Sequence, residues 1–521
     1  MQRRDILRLL ALSPFLSAAR AAGLEPLPAL SQAATQPDVE LELTAAPRAV
    51  SILPGAQTNL WSYTGRVVRG PATALQAIPG SYLGPVIRVR RGQRVRVRFR
   101  NALPEPSIVH WHGLDVPERA DGHPRLAVGS GAEYVYDFEV VNRAGTNWYH
   151  PHPHMRTAYQ AYHGLAGLFV VEDEEERALS LPADDGELLF VLQDRRFDAG
   201  NQFVYAGGAA EGGQGRGMGR GGMGRGGMMG MMEVVNGWLG DRMLVSGRVQ
   251  PTVDVDRRTY RVRFLNGSNA RIYKLAWSHQ APFTVIGTDG GLLGEPVSQR
   301  FMTLAPGQRA DVLLDLSGVA AGTSLQLQSV PFPSDAVGRA GMMGETSPVP
   351  QGAALVLATL RVSNRQGPRH TTPARLTVDR FQPAPNAPVR RVPLTFMQMN
   401  WLIDGRTFDM ESVTPAETVV AGSTQIWEFV NQPNPMGMAM AHPIHLHGRQ
   451  FRVLSRNGAD ANPLREGIHD RGWTDTVLVL PGETVRVQVT FSQFPGLYLY
   501  HCHILEHEDM GMMRNFRIRP A

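Results

Sequence analysis

From Ser81 to Leu103 the chain reads SYLGPVIRVRRGQRVRVRFRNAL, with apolar and basic residues alternating at period two on both sides of RRGQ. That period puts one residue type on each face of an extended strand, so the stretch predicts a half-buried hairpin turning at RRGQ. Similar text recurs as YRVRFLNGS from Tyr260, LAPGQRADVLLDL from Leu304 and VLPGETVRVQVTF from Val479. A Pro-Gly-polar turn followed by an alternating strand, found in all three thirds of the chain, predicts a repeated β-sandwich unit and an all-β fold.

Breaks in this pattern suggest boundaries. The acidic run Glu172 to Arg177 and the segment LPADDGE close a first unit over residues 38–180. A second unit runs over 183–362, a polar, proline-rich linker over 363–391, and a third unit over 392–521. Units of roughly 150 residues are comfortable domains, and 521 residues exceed what one core usually serves. Residues 206–232, AGGAAEGGQGRGMGRGGMGRGGMMGMM, carry almost no side chains beyond Arg and Met. They predict a mobile insert without a packed core, whose thioethers are soft enough to handle copper(I). Further methionines lie in GRAGMMGE from Gly338 and in NPMGMAMAH from Asn434.

Composition narrows the function classes. The +5 net charge comes from arginines spread along the chain, which predicts a solvated surface and no nucleic-acid partner. No internal apolar run is long enough to span a bilayer, so no stable membrane association is expected. At the start, Arg3 and Arg4 precede an apolar stretch and an A-x-A pattern at Ala19 to Ala21. Residues 1–22 therefore read as a twin-arginine signal for the periplasm or another exported location. Export makes the single cysteine informative. Cys502 has no internal disulfide partner, and a free thiol in an oxidising compartment is a liability, so it reads as a metal ligand.

The histidines supply the rest. Sixteen in 521 residues give roughly 0.5 H-x-H matches by chance, counted against that template. The chain has five: HWH at 110–112, HPHPH at 150–154 counted twice, HLH at 445–447 and HCH at 501–503. On a strand, residues two apart face the same way, so each motif presents two imidazoles side by side. Such pairs lie in the first and last thirds, which places the metals between the first and third units. In HCH the thiol faces opposite to its flanking imidazoles, so Cys502 can bind a different metal from His501 and His503. With His442, His507 and Met512 it supplies a His2Cys site with a weak axial thioether, the blue-copper pattern. Zinc fits poorly, since a closed structural site would leave the paired histidines unused. His123, His163, His279, His370 and His469 read as satisfied core histidines, and His154 as an outer or surface residue.

These motifs, HWHG, HPH, HPIHLHG and HCHILEHEDMGMM, resemble the multicopper oxidase family, and within it the bacterial periplasmic copper-efflux oxidases and laccase-like enzymes. The resemblance extends through GPVIRVRRGQ and NGSNARIYKL and implies three consecutive cupredoxin-like Greek-key β-sandwich domains. It implies four copper ions: type 1 on His442, Cys502, His507 and Met512; type 2 on His110 and His445; and a type 3 pair, one ion on His112, His150 and His503, the other on His152, His447 and His501. It further implies that Cys502 passes electrons to the cluster and that Asp121 and Glu508 deliver protons.

The expected activity is oxidation of copper(I), or more loosely of phenols and aromatic amines, coupled to reduction of O2 to two waters by a monomer, with a role in copper tolerance. A generalist laccase and a non-catalytic copper-sequestering protein are the alternatives. One departure from the family is plain: the copper-efflux oxidases carry their Met-rich insert in the third domain, whereas the insert here lies in the second.

Overall fold

In a computed structural model of the chain, residues 36–205, 225–339 and 347–521 are described. The expected signal segment, residues 206–224 of the insert and most of GRAGMMGE lie outside them. Alternation becomes strand as expected. Along Arg94–Asn101, Val95, Val97, Phe99 and Asn101 are buried, while the arginines between them face outward. Those arginines pair across the sheet, Arg96 with Asp137 at 2.5 Å and Arg98 with Glu40 at 2.7 Å. The Arg98 end of these pairs is exposed and the Arg96–Asp137 pair is half-buried, so the outer face stays polar.

Three sandwiches follow one another along the chain. The first packs a four-stranded sheet, in the order Thr58–Arg69, Val39–Val50, Arg94–Asn101, Glu133–Glu139, against a five-stranded one. The latter runs Leu75–Gln76, Val86–Arg90, Gly167–Glu172, Gly145–Pro151, Val109–His112. Val39–Val50 pairs in parallel with Arg94–Asn101, and Val86–Arg90 with Gly167–Glu172, so the chain crosses between sheets before pairing, in Greek-key fashion. The second sandwich joins a seven-stranded and a five-stranded sheet, and the third two five-stranded sheets.

Apolar seams hold the sandwiches together. Trp148, Leu168 and Val170 of the first share a core with Val191, Leu244 and Leu265 of the second. Ile272, Ala305 and Phe332 of the second share another with Ala441, Leu478 and Leu480 of the third. Among the described residues, no helix is long and apolar enough to cross a membrane.

The insert departs from expectation. Its end is ordered: Arg225–Val235 forms an α-helix, and Met231 packs against the core of the third sandwich, alongside Met438 and Met510. Glycine disfavours helix by about 1 kcal/mol per residue, but burial of Met231 and Val235 against a preformed core offsets that cost.

Candidate metal centre

Register brings the H-x-H motifs together in pairs. Val109–His112 is the antiparallel neighbour of Gly145–Pro151, with His110 opposite His150. His442–Leu446 is the neighbour of Gly496–Cys502, with His445 opposite His501 and Ile444 opposite Cys502. All four strands are buried at these positions. On Val109–His112, Trp111 turns into the first core against Tyr136 and Phe169, while His110 and His112 turn the other way.

The first and third sandwiches then present their histidines to each other. The His110 ring stacks on His447 with centroids 3.7 Å apart, and His112 stacks on His445 at 3.6 Å. His503 approaches His112 and His150 at 5.0 and 5.4 Å, and His152 approaches His447 and His501 at 5.1 and 5.2 Å. Eight imidazoles thus enclose one buried space.

Their ring contacts suit a cation. His110 Nδ1 donates to the Asp121 carbonyl at 2.6 Å and His445 Nδ1 to the Asp475 carbonyl at 2.9 Å, so in the neutral rings both Nε2 atoms carry lone pairs. Those two Nε2 atoms lie 3.3 Å apart. The pattern repeats at His447, whose Nδ1 donates to Asp121 Oδ2 at 2.8 Å, and at His501, whose Nδ1 donates to the Cys502 carbonyl at 3.1 Å. Their Nε2 atoms are 3.1 Å apart. Two acceptors in contact repel unless a positive ion lies between them. Further ring nitrogens have no hydrogen-bond partner: Nδ1 of His112, Nε2 of His150 and His152, and both nitrogens of His503. Burial holds His110, His112, His152, His447, His501 and His503 well below an ordinary imidazole and takes His150 down to about 3, which favours neutral rings with lone pairs free for a metal.

The second cluster lies on the opposite side of the HCH strand. Cys502 Sγ is 3.4 Å from His442 Nδ1 and 3.6 Å from His507 Nδ1. His507 Nε2 donates to the Val235 carbonyl at 2.9 Å, which leaves its Nδ1 lone pair aimed at the sulfur. Met512 is fully buried and its backbone is tied to both partners: its N–H donates to the His507 carbonyl at 2.8 Å and its carbonyl accepts from Cys502 N–H at 3.0 Å. Burial pushes the Cys502 thiol well up, so a thiolate here needs a metal to stabilise it. A thiol, two imidazoles and a nearby thioether form a donor set suited to copper.

Both carboxylates singled out in the sequence reach the eight-histidine space. Asp121 holds His110 and His447, and Gly122 makes this approach feasible. At φ +88°, a Cβ on Gly122 would lie 2.3 Å from the Val109 carbonyl oxygen. Glu508 Oε1 is 3.4 Å from His152 Nε2 and Oε2 is 3.2 Å from His501 Nδ1. Burial raises both carboxyls well above their usual range, with a smaller push from Asp115 on Asp121 and from Asp509 on Glu508.

Asp475 was not anticipated. Its Oδ1 accepts from His112 Nε2 at 2.9 Å, and its side chain is paired with Arg309. Neither residue lies near a histidine motif in sequence.

The remaining histidines divide. His123 is buried and bonded to Asn515, as expected of a core residue. His163, His370 and His469 are half-buried with partners in Tyr159, Ser180 and Gln299. His279, expected in a core, is exposed because it falls in the turn after Tyr273–Trp277. His154 is exposed.

Two multicopper oxidase family models match the chain, over residues 62–176 and 380–521. The multicopper oxidase mco of Staphylococcus haemolyticus is 30% identical over 439 residues, covering 84% of this chain and 83% of its own. The cell division protein FtsP of Photorhabdus laumondii is also 30% identical, over 87% of this chain and 85% of its own. Among solved structures, the McoA multicopper oxidase of the hyperthermophile Aquifex aeolicus superposes with a TM-score of 0.75 at 33% identity, covering 93% of this chain and 97% of that one. With paired imidazoles assembled between its first and third sandwiches and a separate thiol site within the third, the chain belongs to the multicopper oxidase family.

Proposed function

We propose that this oxidase binds four copper ions: type 1 on His442, Cys502, His507 and Met512, type 2 on His110 and His445, and a type 3 pair on His112, His150 and His503 and on His152, His447 and His501. Copper there supplies the one-electron redox capacity through which four electrons from substrate reduce O2 to two waters. The chain supplies the path and the protons. Cys502 is bonded through its own backbone to His501 and His503, so one short covalent route joins the two clusters. Asp121 and Glu508, each touching two of the histidines, hold protons at the buried space.

For the substrate we infer copper(I), with phenols and aromatic amines as secondary reductants, and a role in copper tolerance. One observation carries this reading: the Met-bearing helix Arg225–Val235 ends on the type 1 side, where the Val235 carbonyl accepts from both His507 Nε2 and Trp401 Nε1 at 2.9 Å. Met231 lies on that helix, and Met438 and Met510 share its core. Thioethers favour copper(I) over phenols. Arg3, Arg4 and the apolar stretch after them support export by the twin-arginine route, and the extents 38–180, 183–362 and 392–521 are the proposed domains.

Steady-state oxidation of copper(I) and of a phenol separates the readings. Deleting 206–224 leaves the helix, and deleting 206–232 removes Met231 with it. The longer deletion also removes most of the helix that ends at Val235, so it is expected to slow copper(I) oxidation at least about tenfold more than it slows phenol oxidation. Equal effects on both substrates would favour a generalist laccase. Similarity to a protein named for cell division makes a non-catalytic role the second reading, and absence of O2 consumption with any reductant would favour it.

A further inference from the structure

The second sandwich contributes no histidine to the buried space, yet one of its side chains bonds residues of both others. Arg309 begins the strand Arg309–Asp315 and is fully buried. Its Nε donates to the Thr146 carbonyl of the first sandwich at 3.0 Å. Nη1 donates to the Gly307 carbonyl at 2.9 Å and to Asp475 Oδ1 at 2.7 Å, and Nη2 to the Asp289 carbonyl at 3.2 Å and to Asp475 Oδ2 at 2.5 Å. Every N–H of the guanidinium is used, and two of them form a bidentate fork on Asp475 in the third sandwich.

Asp475 in turn sets two histidines in opposite senses. Its carboxylate takes His112 Nε2, which leaves His112 Nδ1 for the buried space. Its backbone carbonyl takes His445 Nδ1, which leaves Nε2. The stacked pair His112 and His445, one from each outer sandwich, is thereby oriented by one aspartate, with the Thr476 hydroxyl, itself bonded to Asp475 Oδ1, beside both rings. That aspartate could swing about its own side-chain torsions were it not clamped by a planar fork. A lone buried carboxylate would also carry a large desolvation cost, which the Arg309 charge offsets.

We infer that Arg309 is a positioning residue for the trinuclear cluster: acting through Asp475, it fixes which ring nitrogens of His112 and His445 face copper, so the sandwich without histidine ligands controls copper retention by the other two. Groups that orient metal-bound histidines are worth about 10–100-fold in metal affinity or activity. Lysine supplies the charge but no fork.

The inference rests on the ligand assignment proposed above, and the test separates them. Copper per protein under a chelator titration, the type 2 EPR signal and the blue type 1 absorbance are measured on the copper-loaded full chain, wild type, Arg309→Lys and Arg309→Met. Arg271→Met is the control, because Arg271 is equally buried in the same sandwich, is paired with Asp194 at 2.8 Å and bonds no histidine. Arg309→Met is expected to lose type 2 copper at about 10–100-fold lower chelator concentration with the blue band retained, Arg309→Lys to fall between it and wild type, and Arg271→Met to lower Tm with the type 2 signal unchanged.

Wild-type type 2 behaviour in both Arg309 variants overturns the inference, as does parallel loss of type 1 and type 2 signals in step with Tm. Should Arg309→Met not fold, the chelator titration of Arg309→Lys decides alone. A wild type with no type 2 signal would instead remove the ligand assignment.

Discussion

His507 Nε2 donates to the Val235 carbonyl at 2.9 Å, so an imidazole beside the sole thiol is oriented by the last residue of a helix that belongs to the Gly-Met-Arg insert. The chain turns sharply just beyond. Gly237 has φ +84°, and a Cβ there would lie 2.4 Å from Ala270 Cβ and 3.0 Å from Ile504 Cγ2. Gly237→Ala is therefore expected to displace the turn, cost about 1–3 kcal/mol, and shift the blue type 1 absorbance as His507 loses its acceptor. Unchanged absorbance together with unchanged Tm would show that Val235 does not orient the ring.

Asp121 is a second test of a named role. Asp121→Asn keeps an amide oxygen to accept from His447 Nδ1 and leaves the backbone carbonyl to His110, so the ligand geometry survives. Only proton exchange at the carboxyl is removed. Turnover with any reductant should fall about 10²–10⁴-fold while copper content and the type 1 and type 2 spectra stay as in wild type. A loss of copper instead would make Asp121 a holder of histidines and nothing more.

Much of this was legible in the sequence because strand periodicity is rigid. HWH, HPH, HLH and HCH each place two rings on one face whatever surrounds them, and the alternating arginine strands announced the sandwiches. Asp475 and Arg309 were hidden for the converse reason. Arg309 reads as one more outward arginine in LAPGQRADVLLDL, and its burial arises only where three sandwiches meet, more than a hundred residues from its partners Thr146 and Asp475. The helix Arg225–Val235 was hidden too. Its glycines argue against helix locally, and what stabilises it is tertiary packing of Met231 and Val235 on the third core. His279 misled in the other direction, since a lone histidine carries no sign of whether its turn is covered.

His123, which the ligand assignment does not use, gives a pH prediction. It is fully buried, and burial takes its imidazole down to about 4 despite the hydrogen bond to Asn515. Above about pH 6.5 the ring is neutral folded or unfolded and contributes no pH dependence. Below that the unfolded chain takes up the proton first, so stability falls as pH drops from 6.5 toward 4, by at most about 3 kcal/mol from this residue. In copper-free protein, His123→Gln should unfold with a shallower loss of stability across that window. An identical slope would place the loss on other groups.

Asp509 fastens the third sandwich to the first. Its two carboxylate oxygens accept from the N–H groups of Thr157 and Ala158, both at 2.9 Å, at the first turn of the helix Thr157–Tyr162. Arg156, just before that turn, has no side chain capping it, so Asp509 satisfies donors that the helix leaves open. Asp509 also ends the helix Leu505–Asp509, which carries His507 and Glu508, while Thr157 follows His152 by five residues. One carboxylate thus ties together the segments that hold a proposed type 1 ligand, His507, and a proposed type 3 ligand, His152. Asp509→Ala leaves two buried N–H groups unbonded, at about 1–3 kcal/mol each, and Tm should drop accordingly. Because both ligand-bearing segments are released, the type 1 and trinuclear signals should weaken together under chelator, in contrast to the selective type 2 loss expected at Arg309. Selective loss of one signal in Asp509→Ala would show that the two segments are held independently.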